Sequence, residues 1–165
     1  MKRLDSENTK TINYSANISQ LEEYYQKQYE LIKNGNTDLA TLELVMLGNA
    51  LDFVHYTDKS FGIKLTSGES SISSLDEVLD ALNRGISWEN LFEPSDDCLA
   101  KKASGYLGLV IITNIGGEWT DTENGVAVNV NGRMAYVHDF IVKRLQSGTQ
   151  LNTEEYYKSI KIVKQ

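Results

Sequence analysis

Three side chains in this sequence have both the type and the scarcity that draw attention to nucleophilic or acid–base chemistry: Cys98, His55 and His138. A thiol beside an imidazole is the smallest unit of covalent catalysis, because the base takes the proton and leaves a thiolate. The residues are present, but no local motif joins them. Cys98 is the lone cysteine, so neither an intramolecular disulfide nor a multi-cysteine zinc site can form. A reducing cytoplasm is the simplest setting for such a chain. His138 adjoins Asp139, yet successive residues at a helix start point in different directions.

Oxygen and backbone chemistry fare no better. Asp121-Thr122-Glu123-Asn124-Gly125 has the look of a calcium loop, but the acids stand at the wrong positions and no glutamate closes a twelve-residue loop. A hairpin turn is the expected reading. Gly105-x-x-Gly108 falls inside a helical pattern and Gly116-Gly117 at its end, so neither forms a strand–loop–helix phosphate cradle. There is no Gly-x-Ser-x-Gly elbow and no His-Glu-x-x-His helix. Glu118 and Asp121 flank Trp119 and could face each other across a cleft, but a solvated strand edge suits them better. No catalytic residue, metal ligand or cofactor is therefore expected.

The elements that would position any site can be read from periodicity. A chain of 165 residues, 41% apolar and with nine tyrosines, suits one domain spanning 1–165 with its own core. Residues 1–16 are polar and aperiodic and read as a loose N-terminal arm, without the apolar stretch of a secretory signal. No apolar run is long enough to span a bilayer; the best, Tyr106 to Ile112, is interrupted by Gly108. Asn17 or Ser19 caps a helix running to about Asn34, and Thr37 or Asp38 opens a second, apolar on two rows. Phe61–Thr66 reads as a short strand, with a weaker one near Ser71–Ser73. Ser74 to Glu77 fits a capping box for a helix through Leu82, closed by Gly85. Ser87–Phe92 makes a further helical turn, bounded by Pro94.

Ser95 or Asp96 then caps a helix whose Gly105 and Gly108 would admit another backbone, and Gly116-Gly117 stops it. Strands Glu118–Asp121, Val126–Val130 and Arg133–Val137 follow, turned by Asn124-Gly125 and Asn131-Gly132. Helices from Asp139 to Ser147 and from a Thr153 cap complete the chain. The expected fold is α+β, with five to six helices packed on a small antiparallel sheet.

The halves echo one another. Thr57-Asp58, Gly62, Asp76, Leu82 and Gly85 recur 63 positions later, and the pairs Leu47-Gly48 and Leu107-Gly108 stand 60 apart. The order helix–strands–helix–short helix predicts pseudo-repeats over about 38–93 and 96–160, related by a pseudo-two-fold, each giving a hairpin to one sheet.

Charge is uneven. The net −7 gathers between Glu69 and Glu123, where eleven acids meet three bases, Arg84, Lys101 and Lys102, a net of −8. Such a field opposes nucleic acid and anionic membrane and attracts a basic partner. The candidate partner surface comprises Glu89, Glu93, Asp96, Asp97, Glu118, Asp121 and Glu123, with Trp88 or Trp119 as an aromatic anchor.

Gly105-Tyr106-Leu107-Gly108, Gly117-Glu118-Trp119, the hairpin and Val142–Gly148 together resemble a loose class of small acidic bacterial proteins of unknown function, some found as immunity proteins beside polymorphic toxins. The likeness covers about a third of the chain and is built from packing and turn residues, so it brings no catalytic residue with it. It implies a bacterial binding protein and no further; with the acidic field and the lone cysteine, the leading expectation is a cytoplasmic bacterial immunity protein whose partner is a toxin domain with a basic surface. The competing expectations are a small hydrolase or transferase with an unrecognised site, and an adaptor subunit of a bacterial assembly.

Overall fold

The computed structural model describes residues 11–85 and 98–164. Their elements are α1 (Ile18–Lys33), α2 (Leu42–Phe61), α3 (Ile72–Gly85), α4 (Leu99–Asn114), β1 (Glu118–Thr122), β2 (Gly125–Val130), β3 (Arg133–Ala135), α5 (Val137–Ser147) and α6 (Thr153–Lys164). The fold is α+β, with six helices and one antiparallel sheet in the order β1-β2-β3 among the described residues.

Helix starts follow side-chain capping. Asn17 accepts from the Gln20 backbone at 2.8 Å while the Gln20 side chain accepts from the Asn17 backbone at 3.0 Å, a reciprocal box that satisfies two orphan donors. α2 begins later than expected. Thr37–Leu39 forms a single tight turn, and Thr41 is the cap, its hydroxyl accepting from Leu44 at 3.2 Å. α6 is capped by Asn152, whose side chain accepts from the Glu155 backbone at 3.0 Å; Thr153, expected as the cap, is spent elsewhere. α3 starts at Ile72, so Ser74 and Glu77 lie within the helix and the expected capping box is not formed. The arm is not loose over residues 11–16: Ile12 is buried in the core and Ala16 bonds back to Asn13.

α2 and α4 cross at the centre, and α4 is buried along nearly its whole length. Gly105 permits that crossing: a methyl there would stand 2.7 Å from Asn49 Cβ and 2.9 Å from the Met46 carbonyl oxygen. In the sheet, Trp119 pairs with Val128 and Val128 with Ala135. Asn131 and Gly132 both take positive φ, 56° and 87°, as a two-residue hairpin of this type demands. β3 ends at Ala135, because Val137 already begins α5.

Among the described residues the first half contributes no strand to this sheet. α2 runs on through Phe61, and Gly62 ends it in the left-handed conformation. The backbone beyond finds other partners. Thr57 binds Ile63 through both its carbonyl and its hydroxyl, Thr66 N–H donates to Ser71 Oγ, and the Tyr106 hydroxyl donates to the Thr66 carbonyl at 2.6 Å. With the main-chain groups of Ile63 and Thr66 paired in this way, the segment is held without a sheet neighbour. Ser71 likewise ends a short helical turn, Glu69–Ser71, and is not in a strand. Phe61–Thr66 is thus not equivalent to Val126–Val130, and the expected hairpin from each half is not built. The expected turn at Ser87–Phe92 and the Pro94 boundary lie outside the described residues; α4 starts later than expected, capped by Cys98 and not by Ser95 or Asp96.

Candidate functional site

Of the residues expected at a partner surface, Trp88, Glu89, Glu93, Asp96 and Asp97 lie outside the described residues. The others belong to the β1–β2 hairpin. Glu118, Asp121 and Glu123 are all exposed, and no ion pair to any of them is present among the described residues. The turn between them is held by Thr122, whose hydroxyl donates to the Gly125 carbonyl at 2.7 Å and accepts from the Asn124 N–H at 3.1 Å. β1 is an edge strand.

Trp119 does not join these acids at the surface. Alternation along β1 turns it inward, where it is 5% exposed and its ring lies directly over Gly108 of α4. It is a core residue and cannot anchor a partner. Gly108 thus serves an indole from the sheet, whereas the expectation was an approaching backbone.

The linear charge map also needs correcting. Three of the eleven acids in the middle third are paired with cations from the C-terminal part of the chain. Arg144, 2% exposed, donates from Nε to Asp76 at 3.1 Å, from Nη2 to Asp80 at 2.7 Å and from Nη1 to the Gly148 carbonyl at 2.8 Å. Thr153 of α6 adds a 2.5 Å bond to the same Asp76 carboxylate. The guanidinium therefore fastens α5 to α3, and the Asp76 carboxylate it holds ties in the start of α6. Glu69 meets the Tyr157 hydroxyl and Lys161, and these two, the hydroxyl first, hold its carboxyl below the ordinary carboxylate range. Of the middle-third acids among the described residues, those left without an ion pair are the three at the hairpin and Glu77 on α3.

The scarce nucleophile and bases are not assembled into a dyad. Cys98 is buried and caps α4, its sulfur accepting from the Lys101 N–H at 3.4 Å; neither histidine hydrogen-bonds it. His55 pairs with Glu22, and desolvation together with Lys101 holds His138 below the usual histidine value. No group of three or more His, Cys, Asp or Glu side chains able to hold a metal occurs among the described residues. No helix among them is long and apolar enough to cross a membrane.

Sequence reasoning missed a second concave feature. A cleft of about 330 Å³ opens between β3, α5 and α6. Val130 and Ile160 form buried parts of its wall; Ala135, Phe140, Leu151 and Tyr156 are half-buried. Phe140 and Tyr156 stack at 4.0 Å between centroids, with planes 9° apart. Burial, with Asp139 adding, pushes the Tyr156 hydroxyl up to about 12, so it stays protonated at neutral pH. Exposed Arg133, Asp139 and Lys143 make the rim. The Phe140-to-Tyr156 pairing spans two helices, which is why no sequence spacing announces it.

Comparisons with protein-family models, with characterised proteins and with solved structures find no match for this chain.

Proposed function

We propose that the chain is a non-catalytic binding module, a cytoplasmic bacterial immunity protein that neutralises a toxin domain by presenting the β1–β2 hairpin to a basic surface. The observation that carries this reading is the exposed acidic triad Glu118, Asp121 and Glu123, without counter-ions among the described residues, on a hairpin whose first strand is pinned from behind by Trp119. Acids that pair internally, such as Asp76 and Asp80, stabilise the fold and steer nothing. Acids left unpaired on a rigid hairpin attract a cationic partner over roughly 10 Å at ordinary ionic strength. The Thr122 bonds hold the turn in one geometry, which limits the entropy lost on docking.

The test is co-expression with the protein encoded beside it. Protection of the host from that protein's toxicity is expected, with an association rate that falls as salt rises. The double reversal Asp121→Lys and Glu123→Lys should slow association by about tenfold or more at low salt while leaving the melting temperature nearly unchanged. Unchanged on-rates in the reversed variant would remove the electrostatic mechanism. A non-toxic neighbour whose product does not bind would remove the immunity reading.

A further inference from the structure

We propose that the cleft between β3, α5 and α6 is a binding site for a small planar apolar molecule carrying one anionic group, in its simplest form an aromatic carboxylate. The ring would lie against the Phe140–Tyr156 wall and the anion at Arg133. This does not depend on the hairpin reading.

Three observations converge on that chemistry. The first is size: about 330 Å³ falls at the lower end of the range that takes small ligands, which is too little for a folded partner and enough for one or two fused rings. The second is the wall. Phe140 and Tyr156 come from different helices and stack nearly parallel on each other, and with Leu151 and the buried Ile160 they give the cleft an apolar, aromatic lining of the kind that takes a flat ring. The third is charge. At the rim Lys143 is paired with Asp139 at 3.0 Å, so these two cancel. Arg133 is left with no ion pair among the described residues, a lone planar guanidinium beside an apolar cleft on a protein whose net charge is −7. A guanidinium binds a carboxylate through two parallel N–H donors, which selects a planar anion over a neutral isostere. The Tyr156 hydroxyl, with no partner among the described residues, supplies one further donor.

The probes are 2-naphthoate and its uncharged counterpart 2-naphthalenemethanol, titrated into the full chain by calorimetry and followed by amide chemical shifts. An acid of about thirteen heavy atoms at ordinary ligand efficiency corresponds to a Kd of about 1 mM. We expect 2-naphthoate to bind at that level or tighter and about tenfold more tightly than the alcohol. Shifts should centre on the amides of Ala135, Phe140 and Ser159. Arg133→Ala should bring the two probes to equal affinity without altering stability, because Arg133 is exposed. Ser159→Trp, at an exposed lining position, should fill the cleft and abolish both. No saturable binding to the unmodified chain, or shifts centred away from the cleft, would overturn the site. Equal affinity for acid and alcohol before any substitution would overturn the anionic specificity.

Discussion

Replacing Arg144 with methionine should cost this protein about 3 kcal/mol of stability. The guanidinium is 2% exposed and donates to two carboxylates and one main-chain carbonyl, so methionine fills much of its volume and satisfies none of its partners. Removing one member of a buried ionic cluster costs roughly 3–5 kcal/mol, because the opposite charge stays desolvated and uncompensated. Here the lower end applies. The Asp76 and Asp80 side chains are 20% and 27% exposed, so water reaches them once the cation is gone. For a chain of this length, about 3 kcal/mol lowers the melting temperature by roughly 6–12 °C.

Urea titration at pH 7 measures the loss directly, with an unchanged slope showing that the folded and unfolded ensembles are otherwise the same. A second arm separates charge from packing. Neutralising the acids as well, in Asp76→Asn and Asp80→Asn with Arg144→Met, should recover about 1 kcal/mol or more relative to the sum of the separate losses. If Arg144→Met cost less than about 1 kcal/mol, or the three changes were strictly additive, the cluster would not be the clasp of α3, α5 and α6 that its geometry describes.

Gly108→Ala places a methyl into the Trp119 ring and should cost about 1–3 kcal/mol by thermal melting, although alanine is the better helix former. Trp119→Ala should cost about 3–5 kcal/mol, seen as a lowered urea midpoint, and any loss of partner binding should track the unfolded fraction. Glu69 titrates below its ordinary range when folded, so its contribution is complete above the unfolded value and is lost as pH falls through the folded one. In melts from pH 7 to pH 3, Glu69→Gln should therefore be flatter than the parent below roughly pH 5, by a small amount because Glu69 and Lys161 are both well exposed. A constant gap across that range would remove Glu69 from the acid response.

What could be read without coordinates was whatever rests on short-range chemistry. Asn131-Gly132 demands a tight hairpin because both residues must take positive φ, and they do. The periodicity around Leu44–Val54 announced a central helix, that around Leu99–Ile111 a helix with a buried side, and Gly105 the close approach of another backbone. Periodicity failed where local signals were outvoted. Phe61, Ile63 and Leu65 alternate as a strand should, yet α2 extends through Phe61 and the following backbone is satisfied by Thr57, Ser71 and Tyr106.

The proposed partner surface divides in the same way. Glu118, Asp121 and Glu123 were legible as hairpin acids because turn chemistry fixes their surroundings. Trp119 beside them was not, since only the seating of β1 against α4 decides which face of the strand is buried. Net charge summed along the chain treated Asp76, Asp80 and Glu69 as free. The fold spends them on Arg144, Tyr157 and Lys161, which lie 64 to 92 positions away in sequence. The Phe140–Tyr156 cleft had no sequence signature at all, because its walls come from three elements that meet only after the core has formed. Composition settles how much charge and apolar surface a chain carries; long-range packing settles which of it is left facing solvent.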